Sequence, residues 1–190
     1  LAVARSARPP RGLALGLASL GGGARVPETG RALLGFLLRL GLIWTGCAVV
    51  LALFPQIEAW AISGTVASAA LALKALNSHP IVTGAQLDAA GVSIEIVSDC
   101  TPTMAFVLLG GAIAAYPLPM RRRLMALAVG IPLLWLYNTL RVVTLVFVLA
   151  RCSRAIFDLV HVYLWQSLTI AVVAAMFVVA VSGADRSPAR

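Results

Sequence analysis

Four stretches of the chain, at about 33 to 54, 102 to 119, 124 to 149 and 162 to 181, are nearly unbroken runs of apolar residues. Each is long enough to cross a hydrocarbon core of about 30 Å as a helix. A fifth stretch, Gln56 to Leu76, is mixed, because Glu58, Ser63, Thr65, Ser68 and Lys74 interrupt its Ala, Ile and Leu residues. Its pattern suits either a weak span or an amphipathic helix lying in the membrane interface. The period changes between residues 84 and 98. Val92, Ile94 and Ile96 alternate with Ser93 and Glu95, while Gly84 and Gly91 supply turns, which together predict a small β-hairpin. Pro132 falls inside the third full run, where a kink is expected.

Basic residues decide how these runs are threaded. Arg5, Arg8, Arg11 and Arg25, then Arg121 to Arg123, then Arg186 and Arg190 form three clusters, and all should lie on the cytoplasmic side. Both termini inside require an even number of crossings. Four spans satisfy every cluster, so residues 56–76 are read as an interfacial helix on the outer face. The expected fold is an all-α polytopic membrane protein with about four transmembrane helices, this outer interfacial helix and the hairpin. Residues 1–32 read as a disordered basic cytoplasmic tail, 33–182 as one membrane domain, and 183–190 as a short cytoplasmic tail. The first residue is Leu1 rather than Met. That suits a non-standard start codon, an upstream extension or a fragment.

Composition agrees with this picture. The 190 residues are 61% hydrophobic and only 12% charged, against roughly 45 to 50% apolar content in soluble domains. The net charge of +8 follows membrane topology and forms no basic stripe interleaved with aromatics, so nucleic acid is not an expected partner; the lipid bilayer is.

Chemistry concentrates in few places. Arg141 sits inside the run from Leu124 to Ala150, where a fixed charge at a helix centre costs upwards of about 2.5 to 3.5 kcal/mol, so such charges usually serve a site. Asn138, three residues earlier, shares its helical face and is expected to position the guanidinium. Cys100 precedes the 102–119 run. With Thr101 as N-cap and Pro102 as first helical residue, the thiol would stand at a helix N-terminus, where the dipole favours a thiolate. His161 opens the last run, and Asp158 three residues before it could orient the imidazole. A thiol, a cation and an imidazole on one side of the membrane suit acyl transfer. Cys47 and His79 carry the bland readings of an apolar core residue and a solvated loop residue. A zinc site has no close Cys or His spacing behind it, and no cofactor is expected. The rival is a non-enzymatic membrane adaptor, or a degenerate enzyme, in which Cys100 is paired with Cys152 as a disulfide on the oxidising outer face.

The order Cys100, then Asn138-x-x-Arg141 late in an apolar helix, then His161-x-Tyr163-x-Trp165-Gln166, resembles the exosortase and archaeosortase family of membrane transpeptidases over roughly residues 80–180. The exit Ala115, Tyr116, Pro117 followed by arginines belongs to the same resemblance, which suits a short-form bacterial exosortase. It implies catalytic roles for Cys100, Arg141 and His161, beside which Asn138 and Asp158 keep the supporting roles read from their spacing. It implies a thiol protease or transpeptidase, a hydrolase of protein sorting. Its substrates would be secreted proteins that end in a recognition motif, a hydrophobic helix and a basic tail. The place implied is the bacterial inner cell membrane, with the active site toward the outer face. One position departs from the family pattern: Pro102 stands where glycine usually follows the cysteine by two residues.

Overall fold

The computed structural model describes residues 28–182; the expected tail at 183–190 and most of that at 1–32 lie outside the described residues. The elements in chain order are α1 (Glu28–Leu53), α2 (Pro55–Ala75), β1 (Ile81–Thr83), β2 (Gln86–Ala89), β3 (Val92–Glu95), a 3-10 turn (Ser98–Cys100), α3 (Thr103–Ala115), α4 (Met120–Arg151), α5 (Arg154–Asp158), a π-helical turn (Leu159–Leu164) and α6 (Trp165–Ser182). Three helical stretches, Gly30–Leu53, Met120–Arg151 and Arg154–Ser182, are long and apolar enough to cross a membrane, and Thr103–Ala115 is a shorter apolar helix. The protein is therefore an all-α polytopic membrane protein with a small sheet. Its outward surface has the inverse of the soluble pattern: Leu42 is 76% and Val179 74% exposed. Apolar side chains turned outward in such numbers need lipid around them.

Three expectations at this level change. Residues 28–32, assigned to the tail, already belong to α1. Arg121 to Arg123, read as a loop, form the first turns of α4, where Arg123 donates through Nη2 to the Tyr116 carbonyl at 3.3 Å. The hairpin is a three-stranded antiparallel meander in the order β1-β2-β3. Its additional strand, Ile81–Thr83, is exposed throughout and so carries no alternation in the sequence. The β2–β3 connection is a two-residue turn with φ of 54° at Ala90 and 80° at Gly91. Both values are positive, as the twist of a tight hairpin requires.

α3 is the centre of the bundle, touching α1, α4 and α6. Its buried residues, Thr103, Ala105, Leu109, Gly111, Ile113 and Ala115, occur around much of its circumference. Small residues let the neighbours approach. A Cβ at Gly111 would overlap the indole of Trp44 on α1, and one at Gly130 would lie 2.7 Å from Leu109. Replacing Gly111 by Ala is expected to destabilise the detergent-solubilised protein by about 1 to 3 kcal/mol through overpacking. Thermal unfolding would register the loss, and Trp44→Ala in the same chain should recover part of it.

α2 covers the stretch read as an interfacial helix to within a residue at each end, and it is not among the described helices long and apolar enough to cross a membrane. Thr65, Val66, Ala69 and Leu73 are buried, and Val66, Ala69 and Leu73 share a core with Leu87, Ala89 and Ile96 of the sheet region and Val142, Val143 and Val146 of α4. Gly64 lies against Trp135, and the Thr139 hydroxyl donates to Ser68 at 3.1 Å. The two helices therefore run in the same direction where they touch. This core fixes the sheet to the end of α4 remote from Arg121–Arg123. A second core of Ala105, Leu109, Ile113, Leu118, Leu134 and Val173 joins α3, α4 and α6 below it.

Candidate active site

Between the two cores the backbone leaves helical geometry. α3 has 13 residues, so it is only about 20 Å long at 1.5 Å per residue, and the chain reaches it through the 3-10 turn and Thr101–Pro102. Non-helical backbone within a membrane bundle must find its partners inside the protein. It does so here. The Thr101 hydroxyl donates to the Ser98 carbonyl at 2.7 Å and lies 3.0 Å from the Thr103 hydroxyl, while Asn138 donates through Nδ2 to the Cys100 carbonyl at 2.9 Å. Cys100, Thr101, Thr103, Asn138 and Arg141 are all buried.

This arrangement revises the role expected of Asn138. Its amide holds the backbone of the cysteine turn, not the Arg141 guanidinium. Removing it with Asn138→Ala leaves a buried carbonyl without a donor. The expected cost is about 1 to 3 kcal/mol, to be read as a lowered unfolding temperature in detergent.

The capping expectation also shifts. Pro102 is the N-cap of α3, and the helix starts at Thr103. Cys100 therefore ends the 3-10 turn, three residues before the helix, and has less of the dipole than a true N-terminal position. Thr101 still caps weakly, accepting from the Thr103 N–H at 3.4 Å. Pro102 has φ of −79° and ψ of 2°, values that proline adopts without strain. Its place in this turn therefore does not require glycine.

Two cavities flank the turn. The first, of about 310 Å3, is lined by Arg141, Asn138, His161, Asp99, Tyr137 and Gln166 among others. The second, of about 260 Å3, is lined by Cys100, His161, Phe157, Arg154 and residues of β3. Cys100 and Arg141 thus open onto different cavities, and His161 is common to both. Arg141 is buried, and its Nε has no hydrogen-bond partner among the described residues.

His161 is carried by the π-helical turn Leu159–Leu164. Such a turn closes i to i+5 bonds and is wider than an α-turn, which alters the three-residue stacking expected for Asp158. Phe157 takes that place, its ring 5.5 Å from the imidazole, while Asp158 is exposed and makes no hydrogen bond to His161 among the described residues. Cys47, Cys100 and Cys152 are all free. The Cys100 carbonyl is held at Asn138, and Cys152 follows the far end of α4, about 20 Å along the helix. A disulfide needs Cα atoms within about 7 Å, so the Cys100–Cys152 pairing is excluded in this fold. His79 is exposed. Among the described residues no group of three His, Cys, Asp or Glu could hold a metal ion.

The family model described as transmembrane exosortase (Exosortase_EpsH) matches residues 12–180. The chain belongs to the transmembrane exosortase family. Neither the comparison with curated proteins nor that with solved structures gives a match. In this exosortase family member, sequence reasoning missed Tyr137 and Thr169. Their hydroxyls are 3.0 Å apart, Tyr137 also donates to the Trp165 carbonyl at 3.3 Å, and both residues line the Arg141 cavity. The only local signal was position: Tyr137 precedes Asn138, and Thr169 lies about two turns beyond His161.

Proposed function

We propose that the chain is a membrane cysteine endopeptidase or transpeptidase that removes C-terminal sorting signals, made of motif, hydrophobic helix and basic tail, from secreted proteins at the outer face of the cell membrane. The observation that carries this reading is the place of His161 on both cavities, with Cys100 on one and Arg141 on the other. Arg121 to Arg123 lie at the opposite end of α4 from the sheet, and the positive-inside tendency of such clusters supports a site that faces outward.

In this mechanism the Cys100 thiolate attacks a substrate carbonyl. A C–S bond forms, and the carbonyl oxygen takes the negative charge. Arg141, buried with an unpartnered Nε on the adjoining cavity, meets that oxyanion where the two cavities join at His161, in surroundings where a fixed charge acts strongly. His161 gives a proton to the amine as the C–N bond breaks and the membrane-held tail departs. It then takes a proton from the acceptor, water or an amine, which attacks the thioester and frees the thiol. Asn138 acts through the Cys100 backbone as a positioning residue.

The test is co-expression with a secreted reporter that ends in a motif, an apolar helix and a basic tail. The chain is expected to shorten the reporter on a gel. An intact reporter, with the chain present in the membrane and signals from the same organism tried in turn, would count against the reading.

A further inference from the structure

β3 is the last strand of its sheet, so one edge has no strand beside it. The hydrogen-bond phase shows which residues face that edge. The Ile96 N–H donates to the Ala85 carbonyl at 2.9 Å, and this pair continues the register in which Gln86 faces Glu95 and Leu87 faces Ile94. Bonded and non-bonded pairs alternate along an antiparallel ladder. Ile94 and Val92 therefore bond to β2, while Ser93 and Glu95 turn their N–H and C=O groups away from it. Neither of these two residues has a backbone bond outside the sheet among the described residues.

The open edge borders the second cavity. Ser93, Glu95 and Val97 line it, and Cys100 and His161 are on its other walls. An uncovered strand edge invites a further strand, and this one invites it beside the nucleophile. The cavity is closed by Val142, Leu145 and Leu149 of α4 and by Arg154 and Phe157 of α5. Its volume of about 260 Å3 takes one extended segment, not the sheet of a second copy.

We infer that the recognition segment of the substrate binds in extended form as a fourth strand on the free edge of β3, its backbone paired with Ser93 and Glu95, so that the carbonyl under attack is led to Cys100. The inference rests on the peptidase reading above. Main-chain bonds give such an added strand its affinity, and alternate side chains give its specificity. A strand of the length of β3 spans about 13 Å, enough to register about four substrate residues. Alternate side chains of the segment meet the apolar wall of α4, and Arg154 and Glu95 put one charge of each sign at the same cavity.

The test uses the full chain in membranes with Cys100→Ala, Cys47→Ser and Cys152→Ser, plus Glu95→Cys. Single cysteines are moved along the recognition segment of the reporter, and disulfide formation is read on non-reducing gels. Cross-links are expected at every second reporter position, and using Ser93→Cys instead should move the strongest cross-link by two residues along the segment. Equal cross-linking at successive positions, no cross-linking, or a Glu95→Cys homodimer that the reporter does not displace would overturn the inference. Cross-linking is read without the nucleophile, so the two readings separate. Cys100-dependent cleavage without the alternating pattern removes the strand addition and leaves the peptidase. The alternating pattern without cleavage by the unaltered chain does the reverse.

Discussion

With Cys100 replaced by Ala, the reporter is expected to keep its C-terminal tail while the variant accumulates in the membrane at the level of the unaltered chain. Loss of the nucleophile from an acyl-transfer site costs on the order of 10^6 in rate, so no shortened band should be visible. The fold should survive. The contact that Cys100 makes with Asn138 runs through its backbone carbonyl, which Ala retains, and the side chain lost is small. Cys100→Ser should behave like Ala, because a hydroxyl is a far weaker nucleophile than a thiolate. A shortened reporter in the Cys100→Ala strain would deny the thiol its role and favour the adaptor reading.

Arg141→Lys is expected to lower the processing rate by about 100- to 1,000-fold, the usual loss when one oxyanion donor is removed. The charge is kept, but the planar fork is replaced by a single ammonium group on a different stem. If the residue served only to fill space between helices, Arg141→Met would process the reporter normally, since an unbranched apolar side chain suits the interior. Comparing the two variants by single-turnover processing separates these roles. Loss in both, with unchanged unfolding temperature, assigns the guanidinium to the reaction.

Much of the fold could be read along the chain because its signals are local. Apolar runs located α1, α3, α4 and the last helix, and period-two alternation located β3. The residues with chemistry stood out for the same reason: Arg141 interrupts an apolar run, and Cys100 and His161 stand at the borders of two others. Partnerships were read less well. Asn138 was matched to Arg141 by helical spacing, yet it reaches the Cys100 carbonyl across the bundle. Asp158 was matched to His161 on the assumption of α-helical spacing, and the π-turn put Phe157 there. β1 escaped because all three of its residues are exposed.

The sequence by itself determined that this is a membrane protein, where its apolar helices run and which side chains carry reactive groups, since hydrophobic period and the cost of charge in lipid act over one or two turns of chain. Only the tertiary structure decided that Cys100 and Arg141 open onto separate cavities with His161 common to both, and that the polar edge of β3 borders the thiol. Those relations depend on how α2, α3 and α4 pack around small residues such as Gly130 and Gly64, where a fit made between distant segments leaves no periodic trace in either one.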